Sequence, residues 1–142
     1  MKKIGIFNGP NLDRLGIREP EIYGHQSLDD LRARMEKLAG ELGLEIDFMQ
    51  SNSESVLIEQ LASWADAGFD GVIGNPAGLT HTSISLLDAI KGSGLPYVEV
   101  HISNVYHRGE RQKCLTAEAS TGIIMGLGFA GYDAALRFLA EK

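Results

Sequence analysis

The stretch Glu99-Val100-His101-Ile102-Ser103-Asn104 holds the residue types most able to do chemistry in this chain. On a strand, side chains alternate between the two faces, so Glu99 and His101 share one side. A carboxylate beside an imidazole fixes its tautomer and keeps its proton available near neutral pH. That is the profile of a general acid or base. Ser103 and Asn104 favour a turn, which would place His101 at the carboxyl end of its strand. A second reading stands on this fragment alone: a surface histidine with a chance acidic neighbour.

The elements that must position this pair follow from hydrophobic patterning. Short apolar runs between Gly/Pro/Asn punctuation predict strands over 4–8, 44–49, 71–74, 97–101 and 122–125. Leu28, Leu31, Met35, Leu38, Ala39 and Leu42 recur at helical spacing after Ser27-Leu28-Asp29-Asp30, a capping-box-like start, and Gly43 stops that helix. Leu57, Leu61, Trp64 and Ala65 mark a second helix ending at Gly68; others are predicted over 84–90 and 130–139. Strands alternate with helices and are continuously apolar. The expected fold is α/β, a flavodoxin-like doubly wound parallel sheet of five strands in the order 2-1-3-4-5. Residues 1–142 are expected to form one domain.

In such sheets, ligands sit beyond the carboxyl ends of the strands. Those ends carry Asn8, Gly9, Pro10 and Asn11, followed by a long loop with Arg14, Arg18 and Tyr23. Further strand ends carry Gln50-Ser51-Asn52, then Asn75 with Thr80-His81-Thr82-Ser83, then His101, Ser103, Asn104 and Arg108. Converging uncharged hydrogen-bonding groups with a few cations would cradle a small polyhydroxylated acid. The bland alternative is ordinary loop chemistry, which explains one such loop better than four.

Bulk composition narrows the classes. A formal charge of -6 lacks the basic face that nucleic acid requires. One cysteine, Cys114, excludes an internal disulfide framework. The absence of a signal-like or membrane-length apolar run makes a cytoplasmic setting the expectation and a membrane partner unexpected. The four histidines, at 25, 81, 101 and 107, show no metal-ligand spacing, and neither a Gly-x-Gly-x-x-Gly turn nor a phosphate-binding P-loop motif is expected. Neither a metal nor a cofactor is expected, a dinucleotide included. Ser83 and Cys114 are conceivable nucleophiles, but neither has an adjacent base in sequence.

Several motifs together resemble the type II 3-dehydroquinate dehydratases. They are Asn8-Gly9-Pro10-Asn11-Leu12, Leu15-Gly16-Ile17-Arg18-Glu19-Pro20 with Tyr23-Gly24, Gln50-Ser51-Asn52 with Glu54, and Asn75-Pro76 with Thr80-His81-Thr82-Ser83. Asp88-Ala89, Glu99-Val100-His101-Ile102-Ser103-Asn104, and Gly126-Leu127-Gly128 with Gly131-Tyr132 complete the set. The resemblance runs in order along essentially the whole chain. It implies a metal-free, cofactor-free dehydration of 3-dehydroquinate to 3-dehydroshikimate through an enolate. It also implies the roles. Tyr23 would be the base, as its tyrosinate, with Arg18 on the same loop lowering its pKa and Arg108 assisting. Asn11 would hold a water or the enolate oxygen. His101, oriented by Glu99, would protonate the leaving hydroxyl. Asn75 and the backbone N–H groups of Ile102 and Ser103 would bind the substrate carboxylate. His81, and Asp88 from a neighbouring subunit, would frame the ring hydroxyls. The resemblance further implies a homo-oligomer, a dodecamer built from trimers.

The chain's departures from the family pattern cluster in one segment. Tyr106-His107-Arg108-Gly109-Glu110-Arg111-Gln112 stands where the family has His-x-Arg-Glu-x-Phe-Arg, so Gln112 occupies the place of a clamping arginine and Arg111 that of a phenylalanine. Glutamine lacks the charge and rigid fork of arginine. Ser53, Ser55 and Leu87 also differ, replacing a common His, Gly and Arg. Three readings therefore remain open: a working 3-dehydroquinate dehydratase, a relative acting on a similar hydroxylated cyclohexane acid, or a non-catalytic metabolite-binding homologue.

Overall fold

A computed structural model describes residues 1–17, 21, 25–109, 111 and 113–142. Five strands form one parallel sheet: β1 (Lys3–Asn8), β2 (Glu45–Gln50), β3 (Gly71–Asn75), β4 (Tyr97–His101) and β5 (Gly122–Met125). Their spatial order is β2-β1-β3-β4-β5, with every neighbouring pair parallel. This is the flavodoxin-like order expected from the alternating pattern. Among the described residues four α-helices cover the sheet: α1 (Leu28–Leu42), α2 (Glu54–Asp66), α3 (Ile84–Ser93) and α4 (Ala130–Glu141).

The period-2 rule sorts each strand's side chains between two cores. Ile4, Ile6, Val98 and Val100 pack with Leu31, Met35 and Leu136, on the α1/α4 face. Phe7, Val72 and Tyr97 pack with Leu57, Leu61, Trp64 and Leu86, on the α2/α3 face. Glu99 and His101 share the parity of Tyr97 and so lie on the α2/α3 side of β4. Gly74 is required where the two aromatic neighbours close in: a Cβ there would stand 2.3 Å from the Phe7 ring and 2.6 Å from that of Tyr97.

Caps set the helix boundaries. Ser27 Oγ accepts from the Asp30 N–H, and Asp30 accepts from the Ser27 N–H, closing the box. Ser53 caps α2, so that helix begins at Glu54, a turn before its first buried leucine. Helix α3 runs on to Ser93, past the expected 90, and the left-handed Gly94 (φ 68°) ends it. Four short 3-10 segments, Leu12–Arg14, Ala77–His81, Val105–Arg108 and Thr116–Ala119, follow β1, β3 and β4. Lacking a long apolar period, they read as loop in the sequence. No described helix is long and apolar enough to cross a membrane.

Candidate active site

Glu99 is the most completely held polar side chain near the strand ends. It is 0% exposed and accepts four hydrogen bonds. Tyr97 Oη (2.7 Å) and Thr116 Oγ1 (2.6 Å) donate to Oε1. Thr80 Oγ1 (2.8 Å) and His101 Nε2 (2.8 Å) pair with Oε2. Three segments supply these donors: β4 itself, the 3-10 turn after β3, and the 3-10 turn before β5. The Leu115 N–H donates to the Thr80 carbonyl at 2.6 Å and ties the two turns together.

This arrangement polarises the pair. Burial alone would push the Glu99 carboxyl up, but hydrogen bonds from His101 and Thr116, the His101 charge and the Tyr97 hydroxyl together hold it below its ordinary value. Burial would likewise lower His101. The hydrogen bonds with Cys114 and Glu99, and the carboxylate charge, outweigh that and raise it. Tyr97 goes the other way: burial first, then the Glu99 charge, push its phenol far up, so it remains a donor. The Glu99 and His101 shifts both favour the charged forms, a carboxylate behind an imidazolium. Because Glu99 only accepts, Nε2 carries a proton toward it.

His101 lines a pocket together with Asn11, Asn75, Ile102, Arg108 and Arg111. Asn11 adopts a left-handed backbone (φ 72°), which asparagine tolerates better than most residues. Its N–H donates to Asn52 Oδ1 at 2.8 Å, and Gln50 Nε2 donates to the same oxygen and to the Gly9 carbonyl. The loop after β2 thus braces the loop after β1. Arg108 donates to Ser103 Oγ at 2.7 Å, which links the 3-10 turn to the end of β4. The Asn75 amide is fixed at both ends: Nδ2 donates to Tyr132 Oη at 2.9 Å, and Oδ1 accepts from the Ala77 N–H at 3.1 Å.

Of the residues singled out in the sequence, Asn11, Asn75, His101, Ile102 and Arg108 share this pocket. Glu99 lies behind His101, and Ser103 holds Arg108. His81 is not among the residues lining this pocket, and its Nδ1 meets the Lys113 carbonyl at 2.7 Å. That carbonyl can only accept, so in the neutral ring Nε2 is the bare nitrogen, buried without a partner. Asp88 is exposed on α3 and is not among the residues lining this chain's pocket. Tyr23, Arg18 and Gln112 lie outside the described residues.

Sequence reasoning missed several partners. Tyr97 was available from the same alternation that pairs Glu99 with His101. Thr80 and Thr116 come from other segments and left no local signal. Cys114 was set aside for want of a base nearby in sequence, yet the fold brings it into a hydrogen bond with His101. Glu99, His101 and Cys114 are also a group whose potential metal-ligating atoms lie within 4.8 Å of one another. The four donors already on Glu99 occupy its lone pairs, and that set suits proton holding better than ligation. Ser83 caps α3 and hydrogen-bonds Glu54.

One expectation needs correcting. Gly126-Leu127-Gly128-Phe129-Ala130-Gly131 does have the Gly-x-Gly-x-x-Gly spacing of dinucleotide-binding turns, between β5 and α4. Here the Gly126 and Gly128 N–H groups donate to the carbonyls of His101 and Ile102, at 3.2 and 3.0 Å. The glycines, both at positive φ, dock this turn on the end of β4; those N–H groups do not face outward to a phosphate.

Known proteins share this whole architecture. A sequence model of the family described as "Dehydroquinase class II" matches residues 2–140. The chain is 50% identical over 137 residues to a 3-dehydroquinate dehydratase of Deinococcus radiodurans, covering 96% of both chains. It is 48% identical over 141 residues to one from Kineococcus radiotolerans, covering 99% of this chain and 96% of that protein. The crystal structure of a type II dehydroquinase from Propionibacterium acnes superposes with a TM-score of 0.96 at 42% identity, covering 100% of this chain and 98% of that one.

Proposed function

Because this chain belongs to the class II dehydroquinase family, we propose that it is a hydro-lyase that converts 3-dehydroquinate to 3-dehydroshikimate. The observation that carries the chemical side of this reading is His101. It is an imidazole hydrogen-bonded to a buried carboxylate that itself accepts four hydrogen bonds, with its ring on the wall of a pocket and its pKa raised by that partner.

The steps follow from what the groups can do. A base removes a proton from the carbon next to the ketone, and the electron pair moves onto the carbonyl oxygen as an enolate. Tyr23 takes the base role, with Arg18 and Arg108 supplying the positive charge that a tyrosinate needs. Asn11 serves the enolate oxygen, directly or through a water. The enolate then re-forms the ketone and expels the hydroxyl at the far end of the new double bond. His101 gives that hydroxyl its proton, so that it departs as water and leaves the imidazole neutral, with Glu99 steadying the ring. Asn75 and the backbone N–H groups of Ile102 and Ser103 bind the carboxylate. His81, and Asp88 of a second copy, frame the ring hydroxyls in a dodecamer built from trimers. The 142 residues act as one domain.

A second reading keeps a specific foothold. Arg111 lines the pocket, and it stands where the family pattern has an aromatic residue. A cation there suits a related hydroxylated cyclohexane acid. One assay separates the readings: purified protein with 3-dehydroquinate, followed by the ultraviolet absorbance of the conjugated product. Turnover at an ordinary enzymatic rate is expected. A flat trace at micromolar enzyme would sink the first reading.

A further inference from the structure

Beneath the pocket a line of hydrogen bonds runs in one direction. Asn8 and Asn75 end β1 and β3 as register partners, and both are buried, at 0% and 3% exposure. Tyr132 rises between them from α4, itself fully buried. Its hydroxyl donates to Asn8 Oδ1 at 2.7 Å and accepts from Asn75 Nδ2 at 2.9 Å. Asn8 Nδ2 donates to the Met49 carbonyl at 3.1 Å. Asn75 Oδ1 accepts from the Ala77 N–H.

The polarity of this line is forced at both ends. The Met49 carbonyl can only accept, so Asn8 turns its amide nitrogen there and its oxygen toward Tyr132. A phenol has one proton, and Tyr132 spends it on that oxygen. Only a donor can then face the phenol oxygen, so Asn75 presents its NH2. The Ala77 N–H, which can only donate, fixes the Asn75 oxygen independently. Of the two amide hydrogens of Asn75 one is used on Tyr132. The other is left for the pocket that Asn75 lines.

We propose that Tyr132 is a positioning residue: it locks the Asn75 amide so that the site meets its ligand with an N–H donor, which selects a carboxylate over a neutral group at that position. The proposal rests on the reading that this pocket binds a hydroxylated carboxylic acid. Burial raises the Tyr132 phenol well above its ordinary value, so the O–H persists at every working pH.

The test compares Tyr132→Phe, Asn8→Leu and Asn75→Ala with wild type. Each is measured for KM and kcat with 3-dehydroquinate, and for competitive inhibition by quinate and by its neutral carboxamide. Tyr132→Phe removes the lock. Asn8→Leu keeps the phenol but frees its proton to turn toward Asn75, so it tests the same polarity if the first variant fails to fold. The expected result for either is a KM raised about tenfold, the worth of one hydrogen bond to a charged group, with kcat within about threefold of wild type. The preference for acid over amide should shrink by a similar factor. A merely structural role would lower active protein without moving that preference. An unchanged preference in both variants, with Asn75→Ala losing it, overturns the proposal and spares the reading of the site. An unchanged preference in all three overturns the proposal and removes Asn75 from the site as well.

Discussion

A carboxylate and an imidazole two residues apart hold a proton between them here because everything around them is arranged to keep the carboxylate charged. Four donors within 2.8 Å leave Glu99 no reason to protonate, and its charge raises His101. His101→Ala should therefore cost about 10²- to 10⁴-fold in kcat, the usual worth of a positioned acid, whereas Glu99→Gln should cost less, since it acts through the ring. Steady-state kinetics on the two variants check the ranking, and a worse Glu99→Gln with His101 still in place would reverse it. The pair also sets a pH dependence of stability. The His101 pKa is raised in the fold, so its stabilisation is complete below the ordinary value of 6.5 and is lost as pH rises through the folded value. The Glu99 pKa is lowered, so its share is complete above the ordinary value of 4.5 and is lost as pH falls through the folded value. The stability difference between wild type and Glu99→Gln should be largest between those two limits and should shrink on the alkaline side, as read by denaturant titration. Tyr23→Phe belongs at this scale too: it removes only the oxygen proposed to take the proton. Activity retained above about a tenth of wild type would rule Tyr23 out as base.

Elements carry these residues with unequal visibility. Strand β4 was legible because alternation alone places Glu99 and His101 on one side and ends the strand at a turn. Helix α1 was legible from Ser27 and Asp30, whose reciprocal bonds close in the fold as the sequence suggested. Thr80 and Thr116 were not legible, since each sits in a short 3-10 turn with no periodic signature and reaches Glu99 only after three segments converge. Tyr132 was visible as part of a motif, but its bridge across β1 and β3 depends on where α4 docks. The segment from Tyr106 to Lys113 is where the departures from the motifs of the resemblance cluster. Arg108 there is anchored on Ser103, and Arg111 faces the pocket. Gln112→Arg should lower KM for 3-dehydroquinate with little change in kcat, because a charge-assisted contact is about twice as strong as a neutral one. Unchanged kinetics, with wild-type turnover already at an ordinary enzymatic rate, would mean that Arg111 or another group already fills the role.

At the scale of the whole molecule, the sheet leaves work for a second copy. Continuous apolarity predicted strands buried on both faces, yet β5 is an edge strand and Ile123 remains 39% exposed. Phe138 of α4 is 43% exposed and lines a shallow apolar groove with Ile123 and Val98; Leu127, in the turn between them, is 59% exposed. An open apolar edge of this kind favours association over solvation. Asp88 adds a chemical reason. It is exposed on α3 and absent from the pocket of its own chain, so any part it plays in binding must cross an interface. The sequence could suggest this only through the family resemblance, because nothing in a single chain's periodicity encodes its copies. The expected state is a dodecamer, a tetramer of trimers. Light scattering at micromolar protein should give that mass, and Asp88→Ala should raise KM without dissociating it. A monomer that turns over 3-dehydroquinate at full rate would show that one chain completes its own site, and would take Asp88 out of it.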